Sequence, residues 1–395
     1  MPQINYEILS WARETAGLTL ASAAGKLQML DSKKLTAQEK LLSYENGKVQ
    51  PSRAMLLKMA KVYRRPLLIF YLDAPPKVGN RGQDFRTLPD SVKDEYSGYV
   101  DALIRDVQAR QSMIKEAMID EDENISLDFV GRCNLDQSVE EVALFLKEVL
   151  GVNISEYRKK PNHPEAFKFL RKKAEEAGFF VLLKGNLGSH HTNIGLDVFR
   201  GFALSDDIAP FVVINDRDAK SAWAFTLLHE IVHILLGQTG VSGFYAEKKI
   251  EKFCNDVASE FLISSDEMDT VSVSGLSEED AIQSISDIAF SKKISSSHLA
   301  YRLYRKQDVN KKQWEYFRDF YRDQWKAKRE KEKQQSRNQK GGPNYYVVQK
   351  YKLGGLVDFV KRFNYSGTLS TTKAGILLDV KPLKVHRLFE TGQIT

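Results

Sequence analysis

A chain of 395 residues favours two or three domains, and its 42% hydrophobic and 28% charged residues supply both hydrophobic cores and a soluble surface. Its net charge of +6 permits nucleic-acid binding without requiring it. The two cysteines, Cys133 and Cys254, exclude a disulfide framework and are typical of a reducing compartment.

The start of the chain and its hydropathy predict neither export nor a membrane span. The first residues, MPQINYEILSWARE, lack the basic stretch followed by an apolar stretch that defines a signal peptide. No apolar run approaches the length of about 18 residues that a membrane-spanning helix needs. We therefore expect a cytoplasmic protein that makes no membrane contact.

Residues 1–75 are predicted to form an N-terminal domain of short packed helices, because apolar residues recur there at helical spacing. Gly47 favours the end of one helix, since glycine readily adopts the left-handed conformation that follows a helix. Pro51 and Ser52 favour the start of the next helix. The Asp-Ala-Pro-Pro segment at 73–76 marks the domain boundary.

A helical connector is predicted at 76–135, irregular at first and then forming a charged amphipathic helix over 94–122. The central domain is expected at 136–321. It begins with two segments of helical period, at 138–150 and 164–177.

The pattern then changes to short, apolar segments rich in β-branched residues. Phe179–Leu183, Ile194–Phe199 and Pro210–Ile214 are predicted to be three strands of one small sheet. A largely buried helix is expected from Asp218 to Leu236, and a second helix over roughly 247–263.

Further helices are predicted from 278 to about 325. Residues 322–343 are strongly basic and read as a solvated helix end followed by a linker. Residues 344–395 are expected to form a small helical C-terminal unit. The fold class predicted for the whole chain is α+β and mainly helical.

The strongest functional signal is the segment LHEIVH at 228–233, which contains His229, Glu230 and His233. Residues four apart on a helix lie on one face, so both histidines can bind one metal ion. Zinc prefers neutral nitrogen ligands with one carboxylate and an open position for water. Glu230 lies beside that face and can accept a proton from the activated water. The pattern predicts a zinc peptidase site in which Glu230 is the general base.

A catalytic zinc needs a third protein ligand, and the helix predicted at 247–263 is the place to look for it. Glu251 shares a helix face with Cys254 and Ala258, whose small side chains permit a close approach to the HExxH helix. Glu251 is therefore the expected ligand. Glu260 is nine residues further on and points to the opposite side. Cys254 is either a thiolate ligand or, as we favour, a buried structural cysteine.

The alternative interpretation of the motif is a pair of hydrogen-bonded histidines on an ordinary helix. We disfavour it, because burying two histidines and a glutamate without partners is costly. Of the other histidines, the adjacent His190 and His191 fit a loop without a metal role. No function is assigned to His163, His298 or His386.

Four segments together resemble the ImmA/IrrE family of metallo-endopeptidases, and the resemblance extends over roughly 140–310. The segments are Phe199-Arg200-Gly201-Phe202, 210–215, 225–233 and 251–258. The family's HExxH residues fall on His229, Glu230 and His233, and the glutamate of its second metal helix falls on Glu251.

This resemblance implies a zincin-like fold with a short mixed sheet above the metal helix, a Zn²⁺ cofactor and a protein substrate. Members of the family are implied to cut a transcriptional repressor and so to switch on phage, mobile-element or stress genes. Arg200, Gly201 and Phe202 are expected to line the cleft and to pair a substrate peptide as an added strand. Tyr245, between the two metal helices, is the candidate donor to the oxyanion.

The N-terminal domain resembles a five-helix helix-turn-helix domain of the XRE class, as in many longer members of that family. The resemblance is carried by the segment YENGKVQPS at 44–52 and the apolar residues that follow it, and 28–35 reads as an insertion. The recognition helix is expected at about 36–45.

Binding to double-stranded DNA is the favoured interpretation of this domain. The residues expected to contact DNA are Gln38, Lys40, Ser43 and Lys48. Glu39 and Glu45 on the same helix oppose binding to phosphates. The alternative is a helical domain that has lost DNA binding and mediates protein contacts. Proteins of this class often pair on palindromic sites, which leaves a homodimer open.

The C-terminal unit has the spacing of a second helix-turn-helix, with a basic face at Lys381, Lys384 and Arg387. A solvated face is the favoured interpretation of this second unit. The same holds for the basic linker at 322–343, although contact with DNA or RNA stays open for it.

The function predicted from the sequence is a transcription-regulating zinc metallo-endopeptidase that cuts a repressor or partner protein. The main alternative is a non-catalytic DNA-binding repressor or antitoxin of a two-gene module. Its peptidase-like domain would sense a signal or bind the toxin. A third interpretation is a phage-defence component in which cleavage releases an effector.

Overall fold

The computed structural model describes residues 4–75, 97–238, 240–241, 248–338 and 344–391. The chain divides into two compact units. The first comprises 1–109 with 186–198, and the second comprises 110–185 with 199–395. Among the described residues, no helix is both long and apolar enough to cross a membrane.

The described part of the first unit is built mainly from four short α-helices and one 3-10 helix. They are α1 (Tyr6–Glu14), α2 (Leu20–Lys26), α3 (Ala37–Glu45), α4 (Arg53–Tyr63) and the 3-10 helix Leu67–Tyr71. Each α-helix starts at a polar residue whose side chain accepts a hydrogen bond from a backbone N–H of the first turn. The helices therefore start where the local sequence satisfies the backbone donors of the first turn.

An ion pair lies within the apolar core of the first unit. Arg13 Nε donates to Glu45 Oε1 over 2.7 Å, and Arg13 Nη2 donates to Glu45 Oε2 over 3.0 Å. Both residues are buried, in a unit whose apolar core includes Leu41 and Met59. The pair ties α1 to the end of α3.

The second unit is mainly helical. A long helix, α5 (Ser97–Asp120), contributes its first part to the first unit and its last part to the second. The other helices of the central domain are α6 (Val139–Leu150), α7 (Ile154–Arg158), α8 (His163–Glu176), α9 (Trp223–Leu235), α10 (Lys248–Leu262), α11 (Ser265–Asp269), α12 (Glu278–Lys292), α13 (Ser296–Arg305) and α14 (Lys311–Asn338). The prediction of a mainly helical α+β chain is confirmed. The basic segment at 322–343, predicted as a solvated helix end followed by a linker, is helical as far as Asn338.

One small mixed sheet lies in the second unit. Its strands are β1 (Phe180–Leu183), β2 (Gly201–Leu204), β3 (Phe211–Ile214) and β4 (Gly240–Val241), in the spatial order β1-β3-β2-β4. The β1–β3 pair is parallel, whereas β2 pairs antiparallel with both β3 and β4. All four residues of β2 and of β3 are buried, as expected for strands covered on both faces.

The strand predicted at Ile194–Phe199 is wrong, and the sheet instead uses Gly201–Leu204. The backbone of the predicted strand turns, since Val198 N–H donates to Gly195 O over 3.2 Å. A residue that pairs with its own near neighbour is not available to a sheet ladder. The apolar, β-branched composition of the segment reflects burial, because Ile194 and Val198 are buried.

The sheet and two helices form the frame of the central domain. Helix α9 packs against β2 and β3, and α10 packs against both α9 and α6. A continuous apolar core joins them, with Val212, Leu227, Ile231, Val257 and Phe261 all buried. This packing fixes α9 and α10 side by side.

The C-terminal subdomain (344–391) is packed onto the central domain. Its helices are α15 (Tyr345–Leu353), α16 (Leu356–Tyr365), α17 (Thr371–Leu378), the 3-10 helix Pro382–Lys384 and α18 (Val385–Glu390). Helix α15 contacts β1. Phe359 meets Phe180 of β1 edge to face, with ring centroids 5.3 Å apart.

Arg171 of α8 joins the C-terminal subdomain to the sheet. Its guanidinium donates to the carbonyl oxygens of Val181 in β1 and of Tyr351 and Lys352 in α15, and it pairs with Glu175 at 2.9 Å. A second contact joins Lys352 Nζ to Asp216 Oδ2 at 2.6 Å. The three basic residues expected on the second helix-turn-helix, Lys381, Lys384 and Arg387, are exposed.

Candidate metal centre

Helix α9 carries both histidines of the HExxH motif on a buried face. It begins at Trp223, five residues later than the sequence predicted, because Asp218 to Ala222 form turns. His229 and His233 are each 4% exposed. Their Nε2 atoms lie 3.2 Å apart, as residues four apart on one helix face allow.

Helix α10 brings Glu251 to the same point. Glu251 Oε2 lies 3.3 Å from His229 Nε2, and Glu251 Oε1 lies 3.3 Å from His233 Nε2. One ligand atom from each of the three residues lies within 4.8 Å of the other two. The three side chains therefore converge on one point between α9 and α10.

The separations fit a tetrahedral metal. Donors placed about 2.0–2.1 Å from a tetrahedral zinc lie about 3.3–3.4 Å from one another. The nitrogen–nitrogen and the two nitrogen–oxygen distances are 3.2, 3.3 and 3.3 Å. Glu251 Oε1 is buried and accepts no hydrogen bond from the described residues. A buried carboxylate oxygen without a donor suits a cation, so the residues present fit a metal of this kind.

Two of the three residues, His233 and Glu251, have strongly shifted pKa values. Burial raises the pKa of the Glu251 carboxyl, but the His229 and His233 side chains beside it outweigh burial and lower that pKa to about 2. Burial lowers the pKa of His233, whereas the neighbouring Cys254 and Glu251 side chains raise it well above its ordinary value. The ionised Glu251 carboxylate thus stabilises a positive charge on His233, at the position where a metal ion would supply one.

Glu230 lies next to the two histidines and is fully buried. Its nearest neighbour in the sheet that packs on α9 is Gly201, the first residue of β2. A β-carbon at Gly201 would lie 2.7 Å from Glu230 Oε1 and 2.7 Å from Thr226 Cγ2, closer than such contacts ever come. Glycine at 201 therefore lets β2 lie directly against the Glu230 carboxylate.

The three residues predicted to bind substrate differ in position. Arg200 is largely exposed and pairs with Asp218 at 2.9 Å. Phe202 is fully buried in the core, so its side chain does not line an open cleft. Its strand edge also pairs with β4, in the register Phe202 with Val241. A peptide added at Phe202 would have to replace β4, so added-strand pairing at this position is not available in the structure.

Two residues considered as further ligands on α10 have other contacts. Glu260 accepts hydrogen bonds from Ser265 N at 3.0 Å and from Ser265 Oγ at 2.8 Å, and it does not belong to the metal group. Cys254 is buried beside His233, and burial raises the pKa of its thiol. Tyr245, the predicted oxyanion donor, lies outside the described residues.

His298, to which the sequence assigned no role, lies beside the metal helix. Its Nε2 is 3.0 Å from Ser259 Oγ, and its ring centroid is 4.8 Å from that of Phe225. Arg302 Nη1 donates to the same Ser259 hydroxyl over 2.6 Å. Burial, assisted by the charge of Arg302, lowers the pKa of His298 to about 4.

These contacts join α13 to both metal helices, through Phe225 of α9 and Ser259 of α10. No sequence motif predicts that His298 joins these helices, because the contact depends on residues about 40 positions apart that meet only in the fold. The helical period of α13 places Leu299 and Leu303 in the core but gives no sign of the polar contact next to them.

The four residues predicted to contact DNA lie on or just after α3. Gln38 and Lys48 are exposed. Lys40 and Ser43 are half-buried, and each has a partner within the domain: Lys40 Nζ donates to Leu30 O over 2.5 Å, and Ser43 Oγ donates to Lys40 O over 2.7 Å.

Of the two acidic residues of α3 that oppose phosphate binding, Glu45 is buried and Glu39 is exposed. Glu45 is buried against Arg13 and does not face solvent. Glu39 accepts hydrogen bonds from the backbone N–H and hydroxyl of Thr36, which completes a capping box.

Residues 186–304 match the family model of the IrrE N-terminal-like domain, Peptidase_M78. The matched stretch contains the HExxH helix, Glu251 and strands β2 to β4. The match supports a relationship of this part of the chain to the ImmA/IrrE family, which is a family of metallopeptidases. No curated protein and no solved structure matches the chain significantly.

Proposed function

We propose that this chain is a cytoplasmic, zinc-dependent metallo-endopeptidase that cuts a repressor or partner protein and thereby controls phage, mobile-element or stress genes. The observation that carries the proposal is the convergence of His229, His233 and Glu251 at mutual distances of 3.2–3.3 Å. The match of residues 186–304 to a peptidase family adds to it.

Each residue of the site has a role in this proposal. His229, His233 and Glu251 hold the zinc. A zinc ion held there supplies Lewis acidity, which polarises a peptide carbonyl and makes water more acidic. Glu230 accepts a proton from the attacking water at its carboxylate and later delivers it to the leaving amine. The close approach of Gly201 keeps the Glu230 carboxylate in one position.

The N-terminal domain binds double-stranded DNA through α3 in this proposal. Exposed Gln38 at the start of α3 and exposed Lys48 just after it are the side chains best placed for the contact. The burial of Glu45 against Arg13 supports the proposal, because it removes one negative charge from the surface that faces phosphates.

Metal content tests the site. We expect about one zinc per native chain, and loss of that zinc in His229→Ala and in Glu251→Ala. Glu260→Gln is the matched control, because it neutralises another buried carboxylate of α10 that lies outside the metal group. Retention of zinc by Glu251→Ala, or its loss from Glu260→Gln, would contradict the ligand assignment.

Turnover needs a separate measurement, since a metal site can bind without reacting. New protein N-termini in cells that express the native chain are compared with those in cells that express Glu230→Gln. We expect one or a few N-termini to depend on Glu230, because loss of a general base typically slows a reaction by about 10²–10⁴. A zinc-loaded chain whose cleavage pattern is unchanged by Glu230→Gln would favour a non-catalytic repressor or antitoxin.

A further inference from the structure

A concave basic pocket lies in the first unit, apart from the residues assigned to DNA and metal. Its volume is about 420 Å³. It is lined by the turn after α1, the end of α2, the second half of α4 and the start of α5. No residue of α3 lines it.

The charged residues that the structure describes in the pocket lining are all basic. Among the described residues, its lining includes Lys26, Lys58, Lys61, Arg64 and Arg105, and no described Asp or Glu lines it. Like charges gathered around one concavity repel one another, and an anion in the concavity removes that cost. Lys58 and Lys61 are exposed at the rim.

Arg64 provides a second, independent observation. Its guanidinium lies 4.5 Å from the centre of the Tyr99 ring. The Arg64 Nη1 atom is buried and has no hydrogen-bond acceptor among the described residues. Burial lowers the pKa of Arg64, and among the described groups that raise it there is no carboxylate. A buried guanidinium N–H without an acceptor is costly, and an oxyanion satisfies it.

The pocket wall is held in place by close backbone packing. A β-carbon at Gly98 would lie 2.2 Å from Ala16 O, so the first turn of α5 lies against the turn that follows α1. Tyr99, the next residue, is half-buried and also lies 5.8 Å from Lys26 Nζ. The site is therefore formed by helices packed to contact distance.

We infer that this pocket binds a small phosphorylated anion, such as a diphosphate- or triphosphate-bearing molecule, as a signal input separate from the metal centre. Several cations around one concavity suit a ligand with several negative charges. The fork of Arg64 suits a phosphate oxygen. A DNA backbone is the less favoured source of the phosphate, because a duplex cannot enter a concavity whose floor includes buried Leu27 and Tyr63.

The test uses the full-length chain and inorganic triphosphate, titrated calorimetrically at about 0.15 M salt, where exposed charges are screened beyond about 8 Å. We expect saturable binding with one site per chain. Lys58→Gln/Lys61→Gln should weaken it by at least about tenfold, and Arg64→Gln by a similar factor.

The matched control is Lys33→Gln/Lys34→Gln, which removes two exposed cations of the same domain that do not line the pocket. It should change triphosphate affinity by less than about twofold. Equal weakening in the two double variants, or no binding by the native chain, overturns the inference. Circular dichroism of each variant establishes that the helices are intact.

Two further arms identify the source of the anion. Citrate, a carboxylate trianion, should bind at least about tenfold more weakly than triphosphate if the site selects phosphate. A 20-base-pair duplex should leave triphosphate binding unchanged. Displacement of triphosphate by the duplex assigns the pocket to DNA and overturns the inference of a small ligand, whatever the zinc measurements show.

Discussion

Gly201 of β2 lies so close to Glu230 of α9 that a β-carbon on the glycine would be 2.7 Å from the carboxylate oxygen. The strand and the proposed general base thus determine each other's position. The backbone φ angle of Gly201 is not positive, so glycine is required at this position by lack of space and not by backbone conformation.

We predict that Gly201→Ala lowers peptidase activity by about 10- to 100-fold without removing the metal, because small displacements of a catalytic group cost up to about 10²-fold. Cleavage of the Glu230-dependent substrate and zinc content are measured together. Gly25→Ala is the control, since a β-carbon there meets nothing within 4 Å. Full activity in Gly201→Ala would show that β2 does not position Glu230.

Glu45→Ala should destabilise the first unit by about 3–5 kcal/mol, because it takes the buried carboxylate from the buried guanidinium of Arg13. Hydrogen exchange of α1 to α4 reports this locally. Glu39→Ala in the same helix is the matched comparison and should cost much less, because the exposed Glu39 side chain contributes only one half of a capping box. Equal effects would contradict the structural role assigned to the buried pair.

Glu267 of α11 makes stability depend on acid pH. Arg158 Nη1 and Lys292 Nζ each lie 2.6 Å from Glu267 Oε1. The hydrogen bond from Arg158 is the main cause that lowers the pKa of Glu267 from 4.5 to about 2. A lowered folded-state pKa gives stability that is complete above the unfolded value and is lost as the pH falls through the folded value.

Glu267→Gln should therefore reduce the free energy of unfolding by about 1–2 kcal/mol at pH 7. The difference from the native chain should shrink between pH 4.5 and about 2, where the native carboxylate becomes protonated. Urea denaturation at several pH values measures it. Asp266→Asn, an exposed change on the same helix, should show neither effect. A difference that is constant with pH would be inconsistent with the ion pair.

Arg171→Ala should release the C-terminal subdomain, because Arg171 bonds both β1 and α15 and its removal takes the ion-pair partner from the half-buried Glu175. Digestion with a non-specific protease should remove residues after 343 at least about tenfold faster. Lys172→Ala, an exposed change on α8, is the control. Equal digestion rates would mean that apolar contacts alone hold the subdomain.

Much of the candidate site could be predicted from the sequence because it depends on helix geometry. The spacing of His229 and His233 and the face shared by Glu251 and Cys254 follow from 3.6 residues per turn. Glu260 was correctly separated from this group by the same rule. The proximity of α9 and α10 was anticipated from small residues on α10.

The rest depends on contacts between distant parts of the chain. The apolar segment Ile194–Phe199 was mistaken for a strand, because burial and strand formation leave the same hydrophobic signal in a short segment. The pairing of β2 with β4, the polar contact of His298 and the three-way contact of Arg171 all join residues far apart in sequence. No local period reveals such contacts.

The contact of α15 and Arg171 with β1 also bears on self-association. Strand β1 is an edge strand of the sheet β1-β3-β2-β4, and an edge strand presents unpaired backbone groups with which a strand of another chain can pair. The C-terminal subdomain covers this strand, and Arg171 satisfies the Val181 carbonyl. A chain shortened to residue 343 would expose an apolar edge, FVLL, as a template for cross-chain pairing. We therefore expect the C-terminal helices to protect the central domain against aggregation.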